Sequence, residues 1–158
     1  EQMFDLMAED VDVKDAPDAA EYRLSDGRID VRDLSFEYHA GKQVLERVSF
    51  SVSSGETVAI VGTSGSGKST IVRLLFRLFE AGSGSIEYDG SEFRNLRMAS
   101  LRKQIGIVPQ DAVLFNDTIR YNIRFGRLSA SDVEEAAKSA MIHDKILSLP
   151  NGYDTVVG

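Results

Sequence analysis

A glycine-rich segment between two apolar stretches constrains this chain more than any other feature. Residues 58–61 are apolar, and a second apolar stretch with helical periodicity begins at Ile71. Between them, every fixed position of the pattern GxxxxGK[ST] is filled, by Gly62, Gly67, Lys68 and Ser69. The order predicts a strand, a phosphate-binding loop and a helix. A glycine-rich turn without a ligand is the alternative, but the strand, lysine, hydroxyl and helix all favour nucleotide binding.

The chemistry of the loop explains this prediction. Glycine permits backbone angles that are closed to residues with a Cβ atom, so successive N–H groups can turn inward around an anion. The helix N-terminus favours negative charge as well, so a polyphosphate is expected. Lys68 would place its charge against the β- and γ-phosphates, and the Ser69 hydroxyl would bind Mg²⁺. The predicted nucleotide-binding residues of the loop are Gly62, Thr63, Ser64, Gly65, Ser66, Gly67, Lys68, Ser69 and Thr70.

The composition is ordinary for a globular domain and excludes several classes of protein. The 158 residues contain no cysteine, which rules out disulfides and thiolate metal sites. No stretch approaches the about 20 consecutive apolar residues that cross a bilayer, and the acidic first ten residues do not resemble a signal peptide. Residues 1–28 hold nine acidic and three basic side chains, which accounts for most of the net charge of −7. Nucleic acid is therefore not an expected partner.

Apolar periodicity outlines the remaining elements. Residues 1–9 have helical spacing and could end a helix that enters from a preceding segment, while residues 10–20 are typical of a linker. Further predicted elements are an antiparallel strand pair at 29–38 and 48–52, a helix at 71–78 that is buried on most sides, strands at 85–88 and 105–108, a helix at 98–103, and a helix with its capping box at 131–134. Strands and helices that alternate around a phosphate loop favour an α/β fold, with the nucleotide at the C-terminal edge of the strands.

Residues on either side of the phosphate loop connect it to a known family. Tyr38 ends a predicted strand 24 residues before Gly62, and Gln110 ends another strand 42 residues after Lys68. Gln110 also opens residues 110–123, in which Leu-Phe, Thr-Ile and Asn-Ile follow in order. Together these features resemble the nucleotide-binding domain of ATP-binding-cassette (ABC) transporters of the exporter type, over about residues 24–158. Within exporters, the chain looks most like the half-transporters of mitochondria and of heavy-metal tolerance.

The resemblance implies ATP and Mg²⁺ as cofactors and a P-loop NTPase fold, with a RecA-like core and an antiparallel β appendage. Tyr38 would stack its ring on adenine, and Gln110 would contact Mg²⁺ or the attacking water. The implied catalytic residues are Gln110 and Lys68, and the implied metal ligands are Ser69 and Gln110. The residues alone leave alternatives open, because Tyr38 could pack on the core and Gln110 could cap a strand.

The sequence departs from the family pattern in one respect. It stops at Gly158, before the Leu-Ser-Gly-Gly-Gln signature, the acidic motif with the catalytic glutamate and the switch histidine. We therefore expect residues 1–23 to be a linker or the end of a helix from a transmembrane domain. Residues 24–158 would be a partial nucleotide-binding domain, truncated before those motifs and unable to hydrolyse ATP alone.

In the intact protein, the resemblance implies ATP hydrolysis that drives export of a substrate across a membrane. The implied partners are the transmembrane domain of the same chain and a second nucleotide-binding domain, in a homodimer of half-transporters. The domain would lie on the cytosolic or mitochondrial-matrix side of the inner mitochondrial membrane or of a vacuolar or other organellar membrane. The alternatives are a nucleotide-binding module without turnover and a soluble cassette ATPase. Residues 110–123 argue against the soluble ATPase.

Overall fold

The computed structural model describes residues 13–110, 113–125 and 129–158, and it divides into two compact units between Gly106 and Ile107. The predicted N-terminal helix at residues 1–9 lies outside the described residues. In the part of the chain that the structure describes, no helix has the length and apolar character needed to cross a membrane.

The first unit is built on a four-stranded antiparallel sheet. Its strands are β1 (Ile29–Glu37), β2 (Gln43–Val52), β3 (Ser83–Tyr88) and β4 (Ser91–Glu92), in the spatial order β2-β1-β3-β4. The predicted pairing of the first two strands is confirmed, with Val31 opposite Phe50. The predicted strand at 85–88 is also present, but it pairs with β1 rather than with a parallel neighbour. The expected two-stranded appendage is therefore half of a larger antiparallel sheet.

Short helices complete the first unit. They are α1 (Lys68–Leu75), a 3₁₀ turn (Phe93–Asn95) and α2 (Met98–Arg102). One hydrophobic cluster joins the sheet to these helices, and its most buried members are Leu34, Leu74, Ile86, Phe93 and Leu101. The prediction that α1 is buried on most sides is wrong, because Val72 and Leu78 are both exposed. The helix also ends at Leu75, so Leu78 does not extend its apolar face.

Two predicted strands are absent from the structure. Residues 58–61 and 105–108 are apolar enough for strands, yet neither is assigned to one. A strand requires a neighbour that pairs with its N–H and C=O groups, and no described strand pairs with either stretch. Val61 is 86% exposed and Val108 is 96% exposed, so their side chains lack packing partners as well.

The segment before the sheet is packed against the first unit rather than fully solvated. Val13 and Ala19 are buried, and the Ala20 N–H donates to the carbonyl of Asn95 at 2.8 Å. The buried Arg77 guanidinium donates to the Lys14 carbonyl at 3.1 Å and lies 3.4 Å from a carboxylate oxygen of Asp15. The predicted linker is therefore anchored to the first unit from residue 13 onward.

The second unit is mostly helical. It contains β5 (Asp117–Thr118), α3 (Ile119–Arg124), α4 (Ala130–Ser139), α5 (His143–Leu147), a 3₁₀ turn (Gly152–Asp154) and β6 (Val156–Val157), with β5 paired to β6. Val133, Ala137, Ile146 and Tyr153 form its core. The predicted capping box is displaced by two residues, because Ser129 caps α4 in a reciprocal exchange of hydrogen bonds with Asp132. Ser131 lies inside the helix.

Candidate functional site

The glycine-rich segment forms a tight loop that leads into α1. Gly65 and Gly67 have φ angles of +81° and +88°, in the left-handed region that favours glycine. A Cβ atom on Gly67 would lie 2.6 Å from the Leu45 Cδ2 atom and 3.2 Å from the Val44 carbonyl oxygen. Both the backbone angle and the close approach of β2 therefore require glycine at the position that begins the helix.

Lys68 closes the loop from its far end. Its Nζ atom donates to the carbonyl oxygens of Gly62 at 2.8 Å and Thr63 at 2.6 Å, and it lies 3.4 Å from the Ser66 hydroxyl. The Ser66 N–H in turn donates to the Thr63 carbonyl at 3.2 Å. The ammonium group is thus held against the loop backbone, at the centre of the residues predicted to surround a phosphate.

The start of α1 fits an anionic ligand. Gly67 provides no side-chain cap, and the first turn of the helix carries no acidic residue. Because the first N–H groups of a helix lack partners within the helix, they remain able to bind a phosphate. Ser64 and Ser69 are exposed beside these groups.

The residues present also fit a magnesium ion that arrives with a nucleotide. The described part of the chain contains no group of three or more histidine or acidic side chains able to hold a metal. Mg²⁺ is commonly bound by one or two protein oxygens together with substrate phosphates and water. The Ser69 hydroxyl is suited to be such an oxygen.

Tyr38 follows β1 directly and presents an aromatic ring beside the helix. Tyr38 is 37% exposed, and its ring makes edge-to-face contacts with Phe36 at 4.8 Å and with Phe79 at 5.2 Å between ring centroids. These contacts fix the plane of the ring. The alternative that Tyr38 packs on the core and the prediction that it stacks on a base are compatible with this arrangement, because only part of the ring is covered.

The hydroxyl of Tyr38 connects two parts of the predicted site. It lies 3.1 Å from the Thr70 hydroxyl and accepts a hydrogen bond from the Arg73 Nη1 atom at 3.0 Å. Burial alone would raise the pKa of Tyr38, but the hydrogen bonds to Thr70 and Arg73 and the Arg73 charge outweigh it and lower that pKa. Thr70 itself is buried. The Tyr38 ring, which is predicted to stack on the base, is therefore hydrogen-bonded to the helix that follows the phosphate loop.

Arg73 did not emerge as a candidate from the sequence. Helical periodicity places Arg73 and Arg77 together on a narrow polar face of the predicted helix at 71–78, and the structure instead buries Arg77 just beyond the end of α1. One signal was available: Arg73 follows Thr70 by three residues, which places both side chains on the same helix face.

Gln110 belongs to the second unit and is exposed. Its contact with Mg²⁺ or water stays a prediction. Asp111 and Ala112, which follow it, lie outside the described residues.

The rest of the exporter-like run, residues 113–123, has a clear structural role. The Asn122 side chain accepts a hydrogen bond from the Phe115 N–H at 2.8 Å and donates to the Phe115 and Thr118 carbonyls at 3.0 Å each. Thr118 caps α3 through the Tyr121 N–H at 3.0 Å.

Comparison with known proteins identifies the family. The sequence pattern of the family described as ABC transporter matches residues 45–154. The chain is 63% identical to heavy metal tolerance factor 1 of Caenorhabditis elegans over 160 residues, which covers 100% of this chain and 20% of that protein. It is 54% identical to ATP-binding cassette sub-family B member 6 of Mus musculus over 160 residues, covering 100% of this chain and 19% of that protein. The chain thus spans about a fifth of the length of these relatives.

The fold agrees with this comparison. A solved bacterial Atm1-family ABC exporter with ATP bound matches this structure with a TM-score of 0.92 and 46% sequence identity, over 99% of this chain and 28% of that chain. The antiparallel sheet and the phosphate loop before α1 are therefore parts of an ABC ATPase domain fold. Since the family pattern also covers more than half of the sequence, the chain belongs to the ABC transporter family.

Proposed function

We propose that this chain binds Mg-ATP and forms the first part of the nucleotide-binding domain of an ABC exporter, in which ATP hydrolysis drives a substrate across a membrane. The observation that carries the proposal is the Lys68 ammonium group, held against the loop backbone by the carbonyls of Gly62 and Thr63 at the uncapped start of α1. A cation and a set of helix N–H groups at one place are complementary to a polyphosphate.

Different residues bind the phosphates and the base of the nucleotide. ATP supplies the phosphoryl group for transfer to water, and Mg²⁺ neutralises its charge. The N–H groups of residues 62–70 and the Lys68 ammonium hold the phosphates, and the Ser69 hydroxyl binds the metal. Tyr38 offers its ring to the base, which suits any purine because stacking does not involve the base edge. Gln110 orients water or completes the metal site.

The two apolar stretches that lack strand partners support a finer proposal about the fold. We infer that residues 58–61 and 105–108 are strands of a RecA-like parallel sheet in the intact domain. Their exposed side chains, Val61 and Val108 above all, suit burial by further strands. The 158 residues lack the signature, the catalytic glutamate and the switch histidine of the family, so they do not turn over ATP by themselves.

The partners follow from the same proposal. The intact protein contains a transmembrane domain in the same chain and works as a homodimer of half-transporters, in which two nucleotide-binding domains meet. It resides in the inner mitochondrial membrane or in a vacuolar or other organellar membrane, with this domain on the matrix or cytosolic side. The match to a solved Atm1-family ABC exporter supports the exporter part of this proposal.

The proposal is tested by Mg-dependent ATP hydrolysis of the intact protein in lipid vesicles. Lys68→Ala is expected to abolish hydrolysis, because it removes a phosphate-binding charge and no core volume. Lys103→Ala removes an exposed lysine that follows α2 and is expected to leave the rate unchanged. Undiminished hydrolysis by Lys68→Ala would contradict the proposal. Nucleotide binding without any hydrolysis by the intact wild-type protein would instead favour a binding module without turnover.

A further inference from the structure

Two kinds of contact restrain the Tyr38 side chain: aromatic packing against the ring and hydrogen bonds to its hydroxyl. Phe36 and Phe79 contact the ring edge to face, at interplanar angles of 88° and 89°, and they restrict its tilt. The hydroxyl at the far end of the ring is restrained separately by Thr70 and Arg73, both on α1. Without the hydroxyl contacts, the ring could still pivot within its aromatic neighbours.

The two hydroxyl partners are not equivalent. Thr70 belongs to the predicted phosphate-binding residues, and it would contact the phosphate chain through its hydroxyl or its N–H group. Arg73 lies one helical turn further along and is not among those residues. Its side chain is exposed, and among the described residues it forms no ion pair that would compete for the guanidinium. The hydrogen bond from Arg73 to the Tyr38 hydroxyl can therefore persist when Thr70 contacts the nucleotide.

We propose that Arg73 is a positioning residue for nucleotide binding, which fixes the Tyr38 ring in the orientation that receives the base. The inference rests on the proposed function, in which Tyr38 contacts the base. A charged donor strengthens the bond to the hydroxyl, and the lowered pKa of Tyr38 agrees with such a bond. Because the guanidinium is exposed to solvent, its effect on affinity is moderate rather than large.

The test compares two ligands on the intact protein by calorimetric titration. One is a non-hydrolysable ATP analogue, and the other is tripolyphosphate, which has the phosphates and no base. Arg73→Gln is expected to lower the affinity for the ATP analogue by about threefold, which corresponds to the loss of one ordinary hydrogen bond. The affinity for tripolyphosphate is expected to stay unchanged. Arg73→Lys keeps a charged donor and should recover most of the loss.

Tyr38→Phe supplies the second arm, because it removes the hydroxyl and keeps the ring. If Arg73 acts through that hydroxyl, Tyr38→Phe should weaken the ATP analogue as much as Arg73→Gln, and the double variant should lose no more than either single variant. Arg32→Gln is the matched control. It removes an exposed arginine that pairs with Glu87 on the sheet, and nucleotide affinity should not change.

Several results would overturn the inference. Equal weakening of tripolyphosphate by Arg73→Gln would mean that the arginine acts on the phosphates or on the fold. Additive losses in the double variant would mean that it does not act through the hydroxyl. If Arg73→Gln leaves the ATP affinity unchanged and Tyr38→Ala lowers it strongly, Tyr38 contacts the base but Arg73 does not position it. If Tyr38→Ala leaves the ATP affinity unchanged, Tyr38 does not bind the base, and the role inferred for Arg73 fails with it.

Discussion

Tyr38 has a partly covered ring and a tethered hydroxyl, and the two can be tested separately. If the ring stacks on the base without contacting its edge, Tyr38→Ala should weaken ATP and GTP alike, by about 1–3 kcal/mol. Tyr38→Phe should cost about 0.5–1 kcal/mol, since only the hydroxyl bonds are lost. Equilibrium titration of the intact protein with both nucleotides measures these losses. Tyr121→Ala, an exposed tyrosine of the second unit, is the control. A loss confined to one nucleotide would contradict stacking.

Asp89 anchors the chain that enters the sheet. Its carboxylate accepts hydrogen bonds from the Tyr22 hydroxyl at 2.8 Å, the Ser25 N–H at 3.0 Å and the Arg28 N–H at 2.8 Å. Burial alone would raise the pKa of Asp89, but these bonds outweigh it and hold that pKa well below its usual range. On the other side of the contact, burial and the bond to Asp89 raise the pKa of Tyr22 to about 12.

The lowered pKa predicts acid sensitivity. A carboxylate whose pKa is lower in the folded state stabilises the fold fully above its unfolded pKa of about 3.9, and this stabilisation is lost as pH falls through the folded pKa. The urea midpoint of the dilute chain should therefore fall as pH is lowered below about 4. Asp89→Asn should lower the midpoint at neutral pH and reduce its change in acid.

Asp33→Asn is the matched control for this prediction. Asp33 and Asp89 have φ angles of +47° and +50°, which asparagine tolerates, so both substitutions preserve the backbone. Asp33 lies 3.8 Å from Arg47 in an exposed ion pair, which contributes little to stability. An acid profile that is the same for wild type and Asp89→Asn would show that the Asp89 carboxylate does not stabilise the fold.

At the scale of secondary-structure elements, Arg77 joins α1 to three other segments. Its side chain is 2% exposed, and it donates to the carbonyls of Phe93 at 3.2 Å and Leu96 at 2.8 Å, while Glu80 accepts from Nε at 3.0 Å. Arg77→Ala would leave the Leu96 carbonyl without this donor, while the Phe93 carbonyl would keep the Leu96 N–H and Glu80 would keep its ion pair with Arg94. Leaving a buried acceptor unsatisfied costs about 1–3 kcal/mol, and the packing of a side chain that is only 2% exposed is lost as well, so we expect the free energy of unfolding to fall by at least about 2 kcal/mol.

Urea denaturation of the dilute chain measures this loss. Arg32→Ala is the control, because the Arg32–Glu87 pair is exposed and its removal should cost no more than about 1 kcal/mol. A similar midpoint shift for the two variants would show that the buried contacts of Arg77 add nothing to the fold.

The elements also show what the sequence could predict. Local signals succeeded: alternation predicted β1 and β2, and the glycine pattern predicted the loop before α1, because each depends on neighbouring residues. The signals failed where a distant partner decides the outcome. Residues 58–61 are strand-like, but no described strand pairs with them. Arg77 was expected at the surface, since nothing in helix periodicity indicates that its helix ends at Leu75.

The same distinction applies to the site. The phosphate loop is a continuous stretch, so its position before α1 could be predicted from the sequence, whereas the hydrogen bonds of Lys68 to the Gly62 and Thr63 carbonyls could not. The contact of Tyr38 with Thr70 and Arg73 joins residues more than thirty positions apart, so it required the fold.

At the scale of the whole molecule, each unit exposes large apolar side chains. Val61 in the first unit and Val108 and Val113 in the second are almost fully exposed. At about 25 cal/mol per Å², burying even about 200 Å² of such surface would contribute about 5 kcal/mol. We therefore expect the isolated chain to be marginally stable and to associate.

Sedimentation velocity over a range of concentrations checks this expectation, with Val61→Ser and Val108→Ser as variants that should reduce association. The isolated chain should also show no ATP hydrolysis above background. A monodisperse monomer with a cooperative thermal transition and Mg-dependent hydrolysis that Lys68→Ala abolishes would contradict both expectations.

We propose that residues 62–70 bind the phosphates of a nucleotide, and Lys68 is the only charged residue among them. The measurement is calorimetric titration of the intact protein with Mg²⁺ and a non-hydrolysable ATP analogue, for wild type, Lys68→Ala and Lys103→Ala. Charged hydrogen bonds contribute about 1.5–3 kcal/mol, so Lys68→Ala should bind at least about tenfold more weakly. Lys103→Ala should bind as wild type does. Equal affinity in all three proteins would contradict the claim.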